Sequence, residues 1–340
     1  MKNMFARLLD IAVYLPDNVL GNDELAALYP EWPAEKILEK TGISERRIAG
    51  LDQTAGDMAY VAAQNLFAQG NISPQDIDFI ILCTQAPDYV LPTTACLLQD
   101  RLGISRHAGA LDINLGCSGF VYGLSLAKGL VETGAASCVL LLTADTYSKY
   151  IHPKDKSVRT LFGDAAAATA IVASEDVNDA IGPFVFGTDG SGAKNLIVEA
   201  GMYRLPKSCD TSIEQTDGSG NVRSRDNLYM NGAEVMAFSL KEVPKAADEL
   251  LYKAGKCKDD IDYFVLHQAN KFMLEALRRK LKIPDDKLPV LMNDVGNTVS
   301  STIPLALFRM REHGMLKNRK NLMLIGFGVG YSWSACLLSM

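Results

Sequence analysis

Three side chains suited to acyl-transfer chemistry each lie where a predicted strand ends or a predicted helix begins. Cys117 ends one strand and precedes the predicted helix 118–133. His267 directly follows the apolar strand 263–266, and Asn297 starts a second predicted helix. A thiolate attacks carbonyl carbon, whereas an imidazole and an amide can donate hydrogen bonds to a negatively charged oxygen. The sequence therefore predicts that these three side chains face one shared cleft.

The position of Cys117 before an apolar helix favours a reactive thiol. The positive end of a helix dipole and its unpaired backbone N–H groups lower the pKa of a nearby thiol. The first turns of the helix are apolar, so a buried, dry site is expected. Two alternatives stay open: Cys117 is a small core residue in the tight turn 116–119, and His267 is a structural or surface residue.

The elements that position these residues occur twice along the chain. The matched segments, in the same order and at offsets of 180 to 184 residues, are 76–83 with 260–267, 112–117 with 293–297, and 139–143 with 322–326. Strands such as 79–82 and 322–325 are apolar throughout, which is typical of strands covered on both faces by helices. We therefore predict a duplicated, layered α/β fold whose halves are residues 1–176 and 177–340, with the cleft between them.

The composition excludes several classes of function. The 340 residues include 34 Lys and Arg against 40 Asp and Glu, so the basic excess of a nucleic-acid-binding protein is missing. No apolar run approaches the ~18 residues of a membrane helix, and the N-terminus does not resemble a signal peptide. The seven cysteines are widely spaced and only four histidines occur, which argues against a zinc ribbon or a redox dithiol. We expect a cytoplasmic protein.

The segment 326–330 has the spacing Gly-x-Gly-x-Gly. It differs from a dinucleotide-binding fingerprint, because only ten residues follow Gly330 and no helix with an acidic residue can complete that site. These glycines instead favour a close approach of the backbone to a ligand, with N–H groups able to donate to an oxyanion.

Together these motifs resemble those of the β-ketoacyl-acyl-carrier-protein synthase III enzymes, a family of the thiolase superfamily. The resemblance covers essentially the whole chain, with landmarks at residues 41–49, 112–120, 162–164, 189–191, 267–270, 296–298 and 327–333. It implies a thiolase-like duplicated five-layer α-β-α-β-α fold, in which the first half carries the cysteine and the second half carries the histidine and asparagine.

The resemblance also implies a reaction in two half-reactions. Cys117, His267 and Asn297 match the family's catalytic triad. The cysteine takes an acyl group from acyl-CoA, and malonyl-acyl carrier protein then loses CO₂ and condenses with that group. His267 and Asn297 are expected to stabilise the enolate, while the backbone N–H groups of Cys117 and Val329 form the oxyanion hole. The resemblance implies no metal and no cofactor, and its two substrates are acyl-CoA and malonyl-acyl carrier protein.

Further positions match substrate contacts of the family. Trp32 is expected to stack on the adenine of CoA, and Lys156 replaces an arginine that stacks there, which a lysine cannot do. Asn270 is expected to touch the pantetheine arm, and Phe327 to contact the substrate. Leu91 matches a position that lines the acyl pocket of a partner subunit, usually as a bulky aromatic residue. A homodimer whose pocket admits more than an acetyl group is therefore expected.

A basic helix follows Asn270. The side chains expected to dock an acidic acyl carrier protein are Lys271, Arg278, Arg279 and Lys280. On an otherwise acidic chain such a patch favours this partner, although a solvated helix face is the alternative interpretation. The position of the family's best-known docking arginine is occupied by Phe272.

Other functions can use the same residues. An acyl group on Cys117 can pass to an alcohol, an amine or water in place of the malonyl carbanion, and a shared fold does not decide between these outcomes. A non-catalytic partner in a larger synthase is a third interpretation, although the presence of all three polar residues argues against it. A papain-like peptidase is disfavoured, because the sequence around Cys117 lacks that family's signature.

Overall fold

The computed structural model describes residues 4–176, 181–317 and 321–339. In the first of these ranges the strands are β1 (Phe5–Tyr14), β2 (Asn18–Gly21), β3 (Glu45–Ile48), β4 (Phe79–Cys83), β5 (Gly109–Ile113), β6 (Cys138–Asp145) and β7 (Ala165–Ser174). The helices are α1 (Asn22–Leu28), α2 (Ala34–Thr41), α3 (Ala55–Ala68), α4 (Thr94–Arg101), α5 (Gly119–Glu132) and α6 (Lys156–Arg159).

The later ranges contain the second set of elements. The strands are β8 (Ile181–Thr188), β9 (Leu196–Val198), β10 (Gln215–Thr216), β11 (Val222–Arg223), β12 (Leu228–Met230), β13 (Tyr263–Leu266), β14 (Leu322–Gly328) and β15 (Ser332–Leu338). The helices are α7 (Gly232–Ala254), α8 (Lys271–Leu281) and α9 (Thr302–Glu312). Across the described ranges, no helix has both the length and the apolar composition needed to cross a membrane.

The two large sheets have the same strand order. One runs β1-β7-β6-β4-β5 and the other runs β8-β15-β14-β13. The pairs β4–β6 and β13–β14 are parallel, whereas the strands on the other side of each pair are antiparallel. This order matches β4 with β13 and β6 with β14, as the sequence repeat predicts. Every residue of β6 and of β14 is buried, because helices cover both faces of each sheet.

Helices and sheets alternate in five layers. Helices α3 and α4 pack on the outer face of the first sheet, and α7, with α8 beside it, packs on the outer face of the second. Helices α5 and α9 lie between the sheets, and α5 contacts strands of both. Apolar side chains surround α5 for this reason, with Phe120, Val121, Leu124 and Ala127 fully buried. The predicted five-layer fold is confirmed.

Two expectations about the repeat are wrong. The segment 293–297, the predicted counterpart of the segment before Cys117, is not a strand, so the second sheet has one strand fewer than the first. Its backbone instead bonds outside the sheet, since the Asn293 carbonyl accepts from the Ser44 N–H at 2.7 Å. The helix expected from residue 298 begins at Thr302, after a 3₁₀ turn. The predicted division after residue 176 borders residues 177–180, which lie outside the described residues, and it stays a prediction.

Candidate active site

Cys117 does not end a strand, as the sequence analysis expects, but lies in a tight turn between β5, which ends at Ile113, and α5. The N–H of Gly119 donates to the carbonyl of Gly116 at 2.8 Å, and Ser118 is the N-cap of α5. A Cβ at Gly119 would lie 2.2 Å from the Cys83 sulfur, so only glycine fits where the helix begins. Cys117 itself is 5% exposed. The cysteine is therefore buried at the start of an apolar helix.

Strand β14 passes directly beside this turn because two of its residues are glycines. A Cβ at Gly326 would lie 2.7 Å from the carbonyl oxygen of Cys117, and a Cβ at Gly328 would lie 3.1 Å from its sulfur. The hydroxyl groups of Ser118 and Ser332 are 2.5 Å apart. The turn that carries the cysteine is thus held against the second sheet.

His267 follows β13 without a gap and is 2% exposed. Its backbone N–H donates to the Ile325 carbonyl at 2.8 Å, and its Nδ1 lies 2.7 Å from Thr302 Oγ1. The ring packs edge-on against Phe327, with the ring centroids 5.4 Å apart. Burial lowers the pKa of His267 to about 3, because the low-dielectric interior disfavours the charged ring. The imidazole is therefore neutral at physiological pH.

Asn297 lies in the loop before α9 and is 5% exposed. Its backbone N–H donates to the Leu161 carbonyl at 2.8 Å, and its Oδ1 accepts a hydrogen bond from the Val299 N–H at 3.0 Å. A backbone N–H can only donate, so this contact fixes the amide orientation and leaves Nδ2 as the donor. Val299 has a φ of 54°, a left-handed conformation that is strained for a β-branched residue. The strained residue, Val299, is therefore the one whose N–H orients the Asn297 amide.

The three polar side chains line one small cavity. Cys117, His267 and Asn297 all contribute to its walls, and its volume is about 70 Å³. The cysteine comes from the first half of the chain, whereas the imidazole and the amide come from the second. The structure therefore brings together the three side chains that the sequence analysis singles out.

Burial dominates the electrostatics of this cavity. Desolvation, with a smaller contribution from the Asp145 carboxylate, raises the pKa of the Cys117 thiol. The expected lowering by the helix dipole is therefore wrong, because the cost of burying a thiolate outweighs it. Asp145 accepts a hydrogen bond from the Gln85 N–H at 2.8 Å, and burial raises its pKa to about 7. The resting thiol is protonated, so its proton must leave when the sulfur reacts.

Asn270 and Phe327 also line the cavity of Cys117. Asn270 is at the same time the N-cap of α8, because its Oδ1 accepts a hydrogen bond from the Met273 N–H at 2.8 Å. Phe327 is 1% exposed and packs against His267. Both residues thus have a structural role beside any contact with a substrate.

Trp32 and Lys156 are not among the residues that line this cavity. Trp32 is half-buried, and the Lys36 ammonium lies 5.0 Å from its ring centroid. Lys156 is 9% exposed, its Nζ donates to the Ser219 carbonyl at 2.6 Å, and it pairs with Glu31 at 3.1 Å. Two oxygen partners therefore already hold the lysine that replaces the family's arginine.

A larger cavity of about 610 Å³ is lined by Gln85 and Val329, whose side chains lie against Gly116 of the Cys117 turn. Val329, Tyr147 and Leu228 line it, and Leu196 lines both this cavity and the smaller one. The Tyr147 hydroxyl donates to Gln85 Oε1 at 2.5 Å, which makes part of the wall polar. Sequence reasoning missed Tyr147 and Gln85, although each follows the end of a strand, β6 or β4, where the other candidate residues were sought.

Leu91 lies in an exposed apolar segment between β4 and α4. Tyr89, Val90 and Leu91 are 62%, 64% and 78% exposed. Tyr89 and Val90 also line the larger cavity. The segment therefore presents apolar side chains to the surface at the mouth of that cavity.

The basic residues of α8 differ in their exposure and in whether an acidic residue pairs with them. Lys271, Arg279 and Lys280 are exposed. Arg278 is instead paired with Glu275 and Asp285, each at 3.1 Å. Its charge is largely neutralised within the chain, which leaves three cations on the exposed part of the helix.

The protein has two matching sheets around a central helical layer, and the cysteine, histidine and asparagine lie between the sheets. This arrangement is that of the thiolase fold. Within the described residues, no group of three or more His, Cys, Asp or Glu side chains could hold a metal ion. A family model described as 3-oxoacyl-[acyl-carrier-protein] synthase III matches residues 111–190, and the model of its C-terminal part matches residues 251–340.

Individual relatives agree with these models over the full length of the chain. A β-ketoacyl-[acyl-carrier-protein] synthase III from Caldanaerobacter subterraneus is 36% identical over 98% of this chain and 97% of its own. A 3-oxoacyl-(acyl-carrier-protein) synthase III of known structure is 68% identical, with a TM-score of 0.98 over 99% of this chain and 100% of its own. A 3-oxoacyl-(acyl-carrier-protein) synthase from Burkholderia xenovorans is 37% identical, with a TM-score of 0.91 over 99% and 94%. The chain belongs to the 3-oxoacyl-[acyl-carrier-protein] synthase III family, as its motifs predict.

Proposed function

We propose that this chain is a condensing acyltransferase, which joins an acyl group held on Cys117 to the malonyl group of malonyl-acyl carrier protein. The observation that carries the proposal is the small buried cavity lined by a thiol, a neutral imidazole and an oriented amide. A nucleophile beside two neutral hydrogen-bond donors suits a reaction whose intermediates are anionic oxygens. Membership of the synthase III family supports the same reaction.

In the first half-reaction, Cys117 sulfur attacks the carbonyl carbon of an acyl thioester, with acyl-CoA as the expected donor. The thioester C–S bond breaks, and the proton of the Cys117 thiol leaves with the departing thiolate as free CoA thiol. The tetrahedral oxyanion accepts hydrogen bonds from the backbone N–H groups of Cys117 and Val329. Val329 follows β14, whose glycines allow the strand to pass beside the sulfur.

In the second half-reaction, the carboxylate of the malonyl thioester leaves as CO₂. The electron pair of the broken C–C bond forms an enolate, whose oxygen accepts hydrogen bonds from His267 Nε2 and Asn297 Nδ2. The carbanion then attacks the acyl group, and the Cys117 thiolate leaves and takes up a proton. The histidine is neutral in this step, because burial lowers the pKa of His267 to about 3. A neutral ring can still donate one hydrogen bond to the enolate oxygen.

The substrate carriers are proposed from the surface. Trp32 and Lys156 would meet the nucleotide end of CoA, and Asn270 the pantetheine arm beside Cys117. The exposed Lys271, Arg279 and Lys280 of α8 would receive the acidic carrier protein, with Arg278 contributing less because it is already paired. CoA and the carrier protein share the pantetheine arm, so both can deliver an acyl group through the same cavity.

The acyl chain would occupy the larger cavity that adjoins the Cys117 turn. Its volume of about 610 Å³ exceeds what an acetyl group needs. A homodimer is proposed as well, with Leu91 lining the partner's pocket, because this exposed apolar segment lies at the mouth of the cavity. The cytoplasmic location stays a prediction from the sequence.

The test is to supply acyl-CoA and malonyl-acyl carrier protein together and to measure CO₂ and the carrier-bound product. Condensation predicts one CO₂ for each 3-oxoacyl chain, and no carrier-bound 3-oxoacyl product from Cys117→Ala. Free fatty acid, or transfer to an added alcohol or amine without CO₂, would replace the proposal by hydrolysis or acyl transfer. Failure of Cys117 to take up any acyl group would indicate a non-catalytic partner.

A further inference from the structure

We propose that Thr302 is a positioning residue, which fixes the ring proton of His267 on Nε2 for the decarboxylation step. The inference rests on the function proposed above. Thr302 is the first residue of α9 and is 2% exposed, and its Oγ1 lies 2.7 Å from His267 Nδ1. It has no part in the motifs from which the candidate site was predicted.

The hydroxyl of Thr302 has two neighbours and one proton to donate. Its Oγ1 lies 2.7 Å from His267 Nδ1 and 3.1 Å from the Val299 carbonyl oxygen, which the hydroxyl can also reach as a donor. The Val299 carbonyl already accepts a hydrogen bond from the Thr302 backbone N–H, so it has a partner without the hydroxyl. The contact with Nδ1 is the shorter of the two and lies in the range of O–H donors. In this assignment Thr302 donates to Nδ1.

This assignment determines the tautomer of the imidazole. A neutral imidazole has one N–H, and a ring nitrogen that accepts a hydrogen bond cannot carry it. Burial keeps the ring of His267 neutral, so its proton is on Nε2. Because Nδ1 faces Thr302 and the ring lines the cavity of Cys117, Nε2 is the nitrogen available to a substrate there.

The two half-reactions depend differently on this proton. Decarboxylation moves an electron pair from the breaking C–C bond to the enolate oxygen and moves no proton, so the Nε2–H donor must be in place beforehand. With the proton on Nδ1, Nε2 would turn a lone pair toward the enolate and repel it. Acylation instead sends the Cys117 proton to the departing thiolate, a step that does not require a donor at Nε2. Loss of the Thr302 hydroxyl should therefore slow decarboxylation alone.

The experiment compares Thr302→Val, which has nearly the same shape without the hydroxyl, with Thr302→Ser, which keeps it. Acylation of Cys117 is followed by intact-protein mass spectrometry, and CO₂ release by a single turnover of the pre-acylated protein with malonyl-acyl carrier protein. We expect Thr302→Val to slow CO₂ release roughly tenfold, the effect of about one hydrogen bond, and to leave acylation within twofold. Thr302→Ser should restore most of the rate.

Thr143→Val is the matched control. Its hydroxyl is also buried and lies 2.9 Å from Ser301 Oγ, but it has no contact with His267. Both half-reactions should stay near wild type in this variant. Equal loss of both half-reactions in Thr302→Val, with a lower midpoint of unfolding, would show a merely structural role and overturn the proposal.

The ring protons can also be observed directly. The ¹⁵N shifts of the labelled His267 ring should show Nε2 protonated and Nδ1 unprotonated in the wild-type protein, and a mixture in Thr302→Val. A wild-type ring protonated on Nδ1 would overturn the assignment whatever the activity. If the wild-type protein takes up no acyl group, the proposed function fails instead, and the ¹⁵N shifts still decide the tautomer.

Discussion

Replacing Gly328 by alanine tests whether β14 positions the sulfur of Cys117. Gly328 lies in the extended backbone of β14, and an added Cβ would lie 3.0 Å from the Cβ and 3.1 Å from the Sγ of Cys117. Non-bonded heavy atoms of this kind pack at about 3.5–4.0 Å. Either the cysteine or the strand must therefore move by roughly half an ångström to restore a normal contact.

The magnitude follows from that displacement. Overpacking of a well-packed site costs about 1–3 kcal/mol of the free energy of unfolding. A misplacement of the nucleophile by 1 Å can cost ~100-fold in rate, so we expect acylation of Cys117 by an acyl-CoA to slow roughly tenfold. Quenched-flow mass spectrometry measures the acylation rate, and urea denaturation measures the unfolding free energy.

Gly129→Ala is the control for the Gly328 variant. Gly129 lies in α5, the helix that follows Cys117, and an added Cβ there meets no atom within 4 Å. It should raise the free energy of unfolding by about 0.5–1 kcal/mol, because glycine is unfavourable inside a helix. Acylation should not change. The reasoning is refuted if Gly328→Ala acylates at the wild-type rate and unfolds like the wild type.

Three further predictions concern pH, docking and chain length. The pKa of His267 is about 3 in the folded protein against 6.5 for the free group, so the unfolded chain gains a proton first as the pH falls below 6.5. The unfolding free energy should then fall by roughly 1.4 kcal/mol per pH unit toward pH 3. Urea titrations of His267→Gln should lack this slope. If the free energies of the wild type and the variant fell in parallel with pH, the lowered pKa of His267 would be contradicted. The double variant Arg279→Glu, Lys280→Glu should raise the KM for malonyl-acyl carrier protein several-fold. The control Lys245→Glu on α7 should not raise it. If the double variant and the control raised the KM equally, α8 would not be the docking site. Acylation rates from acetyl- to octanoyl-CoA should not peak sharply at acetyl, and a sharp peak would place the acyl chain outside the larger cavity.

Much of the fold was predictable because its strands are covered on both faces. Such strands are apolar throughout, so β6 and β14 stand out in the sequence, and their spacing reveals the duplication. Parallel strand ends meet at one edge of a sheet, which is why a search of those ends finds His267. The glycines of 326–330 predicted a close approach of the backbone to a ligand, but not that β14 would pass beside Cys117 itself.

The remaining features depend on partners that are distant in the sequence. Asn297 is placed by a loop that bonds to Leu161, and no strand marks its position. The pKa of Cys117 depends on how deeply the thiol is buried by elements from both halves of the chain. No sequence pattern points to Thr302, because its contact with His267 forms only where α9 packs beside the end of β13.

The central claim is that Cys117 accepts an acyl group in a cavity it shares with His267 and Asn297. The most direct measurement is site-resolved mass spectrometry of the protein after exposure to acyl thioesters, with Cys117→Ala in parallel. The account predicts a single acyl adduct on residue 117 of the wild type, absent from the variant and discharged when malonyl-acyl carrier protein is added. An adduct on another cysteine, or no adduct with any thioester, would contradict it.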